Sequence, residues 1–338
     1  MRIWIDLANS PHVPFFRALR DEFLALGHEV EFSARVFAET VELAKQSKLS
    51  AEVIGGYGGR RITGKAKNLA SRSWELAQWA RKRRFDLALS HNSYSQIVAA
   101  RTLRLMTVTL MDYEYQPANH LAFRLSSKII VPSCFPESQL KSYGARMTKV
   151  HRYEGIKEDV YLGDYQPDAT LMSELANLNI SDRDVMVLMR PPAHDALYHR
   201  FENSLFDEAL QSVLGTETAK VILLPRYQEQ RARYLEQSRG NLIVPEKPLP
   251  GAELIAQSDL VISAGGTINR EAAALGVPAA SVYGGRWAAV DQMLLDQSRL
   301  KRISSIDDIK SLAITKKPAS VGRRQSKVRA EVVKLILK

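Results

Sequence analysis

Short apolar runs alternate along this chain with longer stretches whose apolar side chains recur at helical spacing. Arg2–Leu7 reads as a strand; Phe15–Leu26 reads as an amphipathic helix that Gly27 ends. Glu29–Ala34 is a second strand, a helix follows from about Ala38 to Gln46, and Glu52–Ile54 is a third strand. Asn68–Arg83 and Ser95–Leu103 fit helices, and Asp86–Ser90, Met106–Met111 and Lys128–Val131 fit strands. The pattern then restarts. Val185–Met189, Val221–Leu224, Leu242–Val244, Leu260–Ser263 and Ala279–Val282 are strands; Ser204–Leu214, Glu229–Gln237, Gly251–Gln257, Asn269–Leu275 and Val290–Asp296 are helices. Strands alternating with helices imply parallel sheets wrapped on both faces. The break falls in "EGIKEDVYLGDYQPD", Glu154–Asp168, which is polar and turn-rich and reads as a linker. The expected fold class is therefore α/β, with two Rossmann-like doubly wound domains facing across a cleft, because such sheets bind ligands at the carboxyl ends of their strands. The closing "GRRQSKVRAEVVKLILK" reads as a helix with Val328, Val332, Leu335 and Ile336 on its apolar side.

Composition narrows the class. At 338 residues the chain is long enough for two cores, and 45% hydrophobic with 25% charged residues is globular composition. Cys134 is the one cysteine, so no intrachain disulfide forms. An acid already at Asp6 interrupts any signal-peptide core, and no apolar run reaches the roughly 18 residues of a spanning helix. The expected location is the cytoplasm. The formal net charge of +10 admits anionic substrates, a membrane face or nucleic acid. The basic residues are spread out and carry no RNA-binding aromatic signature or zinc-finger spacing, so no nucleic-acid partner is expected.

The chemistry gathers where strands end. "SAGGTINREAAALGVPAAS", Ser263–Ser281, runs from a strand through Gly265-Gly266-Thr267 into a helix. Glycines let an anion approach the backbone, and a helix start offers unpaired N–H groups at the positive end of its dipole. Thr267 is placed to cap that helix, and Glu271, one turn on, is placed to accept from ribose hydroxyls. The same segment also fits a plain strand-to-helix turn. Arg190 and Arg226 follow two other strands of the second half and suit a diphosphate, or a salt bridge to the domain's own acids. Arg286, Asp291 and Gln292 follow the glycine segment and have side chains of the type that read sugar hydroxyls. In the first half, Asn9, Ser10 and His12 lie in the loop after the first strand; His12 suits a general base or a diphosphate ligand, and the same residues also fit a solvated turn histidine with Asn9 and Ser10 at the helix entry. His91 and Asn92, and then Asp112 and Glu114, follow two further strands and extend the acid/base candidates. "GRRITGKA", Gly59–Ala66, only imitates a Walker A loop, since Ala66 lacks the hydroxyl a magnesium ion needs; it reads as a basic loop. The seven histidines are scattered without metal-ligand spacing, so no metal site is expected.

Taken together, "MRIWIDLANSPHV", "GHEVEFSAR", "LALSHNS", "YEGIKEDVYL", "VLMRP", "LPRYQEQ", "SDLVISAGGTINREAAALGVPAAS" and "AVDQ" resemble, over nearly the whole chain, a prokaryotic domain-of-unknown-function family of the GT-B superfamily. More distantly the chain is similar to the lipid-II-forming N-acetylglucosaminyltransferase and to non-hydrolysing UDP-N-acetylglucosamine 2-epimerases. The resemblance to the transferase implies that Glu271 binds ribose and that His12 matches its first-loop histidine, although that enzyme's glycine-rich first loop is lacking here. The resemblance implies an N-terminal acceptor domain at 1–157, a C-terminal nucleotide-sugar domain at 158–320 and a terminal helix, 321–338, that crosses back to the first. The expected activity is metal-independent glycosyl transfer from a nucleotide diphosphate sugar, with UDP as the implied carrier. A 2-epimerase acting on the same donor and a non-catalytic nucleotide-sugar binder are the alternatives. In this reading His12, Asp112 and Glu114 are catalytic candidates, and Arg190, Arg226, Gly265, Gly266, Thr267, Glu271, Arg286, Asp291 and Gln292 hold the donor. Asn9, Ser10, His91 and Asn92 meet an acceptor that is anionic or lipid-linked, peripheral membrane contact is open, and no cofactor is needed beyond the nucleotide sugar itself.

Overall fold

The computed structural model describes residues 1–56, 62–166, 175, 178–192, 204–237, 240–246, 249–317 and 327–338. The chain forms two compact units, Met1–Tyr161 with Gln325–Lys338, and Leu162–Arg324. The first unit is built on seven strands: β1 (Arg2–Leu7), β2 (Glu29–Ala34), β3 (Ala51–Val53), β4 (Leu87–His91), β5 (Met106–Leu110), β6 (Lys128–Pro132) and β7 (Val150–Tyr153). They lie in the order β3-β2-β1-β4-β5-β6-β7, and every pairing is parallel. The second unit has β8 (Val185–Arg190), β9 (Ala219–Leu223), β10 (Leu242–Ile243), β11 (Leu260–Ser263), β12 (Ala279–Ser281) and β13 (Lys301–Arg302), ordered β10-β9-β8-β11-β12-β13 and again parallel throughout. Both are doubly wound sheets, as the alternating pattern predicts.

A central parallel strand is covered on both faces, so it reads as a continuous apolar run. In β1, Ile3, Ile5 and Leu7 enter one core with Val13, Phe16 and Leu19, whereas Trp4 enters the opposite core with Leu76, Phe85 and Ala88. In the second unit Val187 and Met189 join Val221, Leu223 and Ile262 in a single core. Each large aliphatic side chain so buried contributes roughly 1.5–3 kcal/mol.

The boundaries move where local chemistry outweighs periodicity. The first helix is His12–Ala25, starting ahead of the apolar period because Pro11, at φ −63°, suits helix entry. The helix Ile62–Arg81 begins earlier than Asn68 and takes in Gly64 and Lys65. Gly59, Arg60 and Arg61 of the Walker-like segment lie outside the described residues. The segment that reads as a linker holds a helix, Lys157–Leu162, with Lys157, Glu158 and Asp159 buried. Edge strands β7 and β13 carry too little apolar sequence to register as strands; β13 is two exposed basic residues.

The last described helix, Lys327–Leu337, packs on the helix His12–Ala25 and on β6 and β7. Val328, Val332, Val333 and Ile336 are buried in the first unit's core, and Leu335 is partly buried beside them. Lys128 Nζ donates to the Leu335 carbonyl at 2.8 Å, and Arg329 Nε to the Val160 carbonyl at 2.7 Å. Among the described residues no helix is long and apolar enough to cross a membrane.

Candidate functional site

In a doubly wound sheet the crevice opens where the strand order reverses, at the carboxyl ends of the two strands that flank the reversal. In the first unit those strands are β1 and β4, and in the second they are β8 and β11.

At the first reversal, Asp6 near the end of β1 is fully buried and occupied. Arg72 meets both its oxygens, Nη1 to Oδ2 at 2.9 Å and Nη2 to Oδ1 at 2.8 Å, while Ser33 donates to Oδ1 at 2.6 Å and Ser93 to Oδ2. Burial alone would raise the Asp6 carboxyl, but the Arg72 charge and these hydrogen bonds together hold it below the ordinary carboxylate range. Asp6 is therefore a strut. Through Ser93 it ties down the turn after β4, where Asn92 adopts φ +58° and sends Nδ2 to the Tyr94 hydroxyl at 2.6 Å and to Asn119 Oδ1 at 3.0 Å.

That turn delivers His91 beside His12. Their ring centroids are 5.1 Å apart, and Phe15 and Phe16 wall the pair edge-on. His12 is only 9% exposed, and its Nδ1 has no hydrogen-bond partner among the described residues. Burial, then the neighbouring His91 and Lys157, hold the His12 imidazole well below the usual histidine range, against the opposing pull of Asp112. It is neutral at neutral pH. Behind it, His91 Nε2 is 3.4 Å from Asp112 Oδ1, Lys157 Nζ is 3.0 Å from Asp112 Oδ2, and Lys157 Nζ is 3.5 Å from Glu158 Oε1. Glu114 is buried as well. Burial, followed by the charges of Asp112 and Glu158, pushes the Tyr153 hydroxyl well above its ordinary value, so it stays protonated. The first reversal thus gathers a neutral imidazole among buried ionisable groups. Asn9 and Ser10 build the entry turn: their carbonyls accept from the His12 and Val13 N–H groups, and Asn9 Oδ1 accepts from the Ser10 N–H at 2.9 Å.

At the second reversal the helix Gly266–Leu275 follows β11, with Gly265 at the N-cap and Gly276, at φ +71°, closing the C-terminal end. Thr267 does not cap the helix as the sequence suggests; it lies within the first turn and is exposed. A glycine at the cap leaves that position empty of side chain. The N–H groups of Gly266, Thr267 and Ile268 precede any intrahelical acceptor, and no turn carbonyl is bonded to them among the described residues. Arg226 lies against this start: a Cβ on Gly265 would come within 2.9 Å of Arg226 Nη2. Arg226 Nε donates to the Pro191 carbonyl at 3.1 Å, just past Arg190 at the end of β8. The single Ser263 hydroxyl proton has two acceptors in reach, the Gly265 carbonyl at 2.9 Å and Asn269 Oδ1 at 3.0 Å, whereas Asn269 Nδ2 is buried with no partner among the described residues. This is a concentration of donors and positive charge.

The structure brings His12, His91, Asp112 and Glu114 to the ends of β1, β4 and β5, and Arg190, Arg226, Gly265, Gly266 and Thr267 to the ends of β8, β9 and β11. Glu271 is half-buried in the second turn of its helix, and Arg286 is exposed in the loop after β12. Asp291 accepts two bonds from Arg270, at 2.7 and 2.9 Å, and Gln292 donates to Asp296 at 2.9 Å. Sequence reasoning missed Arg72, Lys157, Glu158, Asn269 and Arg270. Asn269 and Arg270 lie in the glycine segment, and Lys157 and Glu158 lie in "YEGIKEDVYL", which reads as a linker; only Arg72 lies in no segment singled out by its sequence. Among the described residues no group of three His, Cys, Asp or Glu side chains is arranged to hold a metal ion.

A family model described as "Protein of unknown function (DUF354)" matches residues 1–338. The uncharacterized protein MJ0665 of Methanocaldococcus jannaschii is 27% identical over 313 residues, covering 91% of this chain and 89% of that one. Among solved structures, the UDP-GlcNAc 2-epimerase from Neisseria meningitidis, bound to UDP-GlcNAc, superposes with a TM-score of 0.77 at 14% identity, covering 100% of both chains. The spinosyn rhamnosyltransferase SpnG superposes with a TM-score of 0.61 at 16% identity, covering 100% of this chain and 96% of that one. At such identities the likeness establishes the fold, which is of the GT-B type.

Proposed function

The chain belongs to the DUF354 family, and from that premise we propose that it is an enzyme acting on a nucleotide diphosphate sugar, with UDP as the carrier, and that it transfers the sugar to an acceptor hydroxyl. The observation that carries this reading is the open helix start at Gly265–Gly266 with Arg226 laid against it. Unpaired N–H groups, a helix dipole and a guanidinium converge there, a combination suited to a diphosphate. The likeness of fold to a UDP-GlcNAc 2-epimerase and a rhamnosyltransferase supports the same ligand class.

In the proposed reaction the bond between the anomeric carbon and the diphosphate oxygen breaks, and its electron pair leaves on that oxygen. The Gly266 helix start with Arg190, Arg226 and Arg286 stabilises the charge that develops. The acceptor oxygen bonds to the anomeric carbon, and His12, neutral, takes its proton. Glu271 holds the ribose hydroxyls. The second unit is thus the donor domain and the first the acceptor domain. The acceptor in this reading is anionic or lipid-linked.

One observation favours a second reading. Asp112, Glu114 and Glu158 are three buried carboxylates on the imidazole side, a set suited to moving protons on the sugar itself, as a 2-epimerase must. Calorimetric titration with UDP and UDP-sugars, followed by product analysis, tests both. Transfer requires an acceptor, whereas epimerisation turns over the donor alone. Absence of binding to every nucleotide diphosphate sugar overturns the proposal, and binding without turnover leaves a non-catalytic binder.

A further inference from the structure

Lys157 lies in a stretch that reads as a linker, yet it meets both Asp112 and Glu158 in the buried cluster of the first unit. It is the first residue of the helix Lys157–Leu162 and is 7% exposed. A cation there stands at the positive end of its own helix, where acids are favoured, so the placement does nothing for the helix. A buried lysine–carboxylate pair is also no more stabilising than apolar residues of the same volume. What the pair does accomplish is to divide the oxygens of Asp112. Oδ2 meets Lys157 Nζ at 3.0 Å, which leaves Oδ1 facing His91 Nε2 at 3.4 Å. His91 in turn lies beside His12, its ring tilted 44° to that of His12, and is walled by Phe15 at 5.9 Å between ring centroids.

We propose that Lys157 is a positioning residue: it fixes the Asp112 carboxylate so that Oδ1 holds His91 in one tautomer and orientation, and His91 in turn fixes the ring of His12. This rests on the reading of His12 as proton acceptor. The charged and titratable groups facing His12 are His91 from the end of β4, Asp112 from beyond β5, Lys157 from its helix and Arg35 from beyond β2. Lys157 therefore acts on His12 through contacts and through its charge, and the two effects separate by experiment.

Histidine-ring NMR on the whole protein needs no substrate. Signals are assigned with His12→Gln and His91→Gln, and ring nitrogen shifts report the tautomer. In the native protein His91 is expected to carry its proton on Nε2, facing the carboxylate. In Lys157→Met the His91 tautomers are expected to mix, and the His12 midpoint to rise because a positive neighbour is gone. In Asp112→Asn the His12 midpoint is expected to fall because a negative neighbour is gone. Lys157→Arg is expected to keep the native His91 tautomer. A single unchanged His91 tautomer in Lys157→Met, with only a lowered melting point, makes Lys157 a structural pair and overturns the proposal. Should Lys157→Met not fold, Asp112→Asn decides alone, and an unchanged His91 tautomer there overturns it equally. Where a nucleotide sugar turns over, Lys157→Met is expected to lower kcat on the order of tenfold or more with the donor KM within about twofold; a change confined to KM counts against it. If no nucleotide sugar turns over, the enzymatic reading fails while the ring signals still decide the role of Lys157.

Discussion

At the end of β1 the chain turns through Asn9, Ser10 and Pro11 into a helix whose first N–H groups are already used. His12 donates to the Asn9 carbonyl and Val13 to the Ser10 carbonyl, and Pro11 and Pro14 have no N–H to offer. At the end of β11 it turns through Ala264 and Gly265 into a helix whose first N–H groups are left over. The two positions are topologically alike, each beside the reversal of strand order in its own sheet. Their chemistry is opposite. The first keeps its backbone closed and buries imidazoles, carboxylates and an ammonium; the second opens its backbone and adds arginines. A helix start is an anion site only when its donors are not already spent, and two prolines and two turn carbonyls are enough to spend them. In the proposed function, proton chemistry falls to the first unit and anion binding to the second.

The largest effect that tests this division is in the first unit. Arg72→Ala strips the counter-charge from fully buried Asp6, and unfolding in urea is expected to show a loss of about 3–5 kcal/mol. UDP affinity, measured where the variant is folded, is expected to be unchanged; lost affinity would break the comparison. Next is Glu271→Ala in the second unit. Loss of a charge-assisted pair to ribose is expected to cost roughly 1.5–3 kcal/mol, about 10- to 100-fold in UDP affinity by calorimetry, with the melting point little changed. Unchanged affinity with a lowered melting point would confine Glu271 to its own helix.

A smaller effect is the pH dependence that His12 imposes. Its folded-state pKa is depressed, by burial first and then by His91 and Lys157. Between that depressed value and the unfolded value near 6.5, the unfolded chain binds the extra proton, so stability rises with pH. The contribution is fully present above about pH 6.5 and is lost as the pH falls toward the folded pKa, at up to about 1.4 kcal/mol per unit. Urea midpoints collected across this window are expected to flatten in His12→Gln; an unchanged slope would remove His12 from the account. The smallest expected effect is Gly265→Ala. The residue's φ of −140° suits any amino acid, so the glycine is required for space. The new Cβ presses on Arg226 Nη2, the far end of a flexible chain, and an affinity loss of about threefold, roughly 0.7 kcal/mol, is expected with no change in stability.

The strands that both faces cover were legible because burial leaves a continuous apolar run: Arg2–Leu7 and Leu260–Ser263 fall where the pattern puts them. Edge strands β7 and β13 and the short helices Asn119–Leu125 and Glu137–Ser142 were not, since a few half-exposed residues carry no period. The Gly265–Gly266 turn was legible as well, because its chemistry is local to consecutive residues. So were the polar residues at strand ends, since a parallel sheet places all its carboxyl ends on one edge.

What only the tertiary structure decided is which of those polar residues are spent and which remain available. Asp6, near the end of β1, is occupied by Arg72 from 66 positions away. Asp291 is engaged by Arg270 from 21 positions away, and Asp112 by Lys157 from 45. Composition and spacing set where charged groups gather, but a carboxylate's role depends on its partner and on the water it has lost. Both are properties of packing between distant segments, and neither leaves a mark on the local sequence.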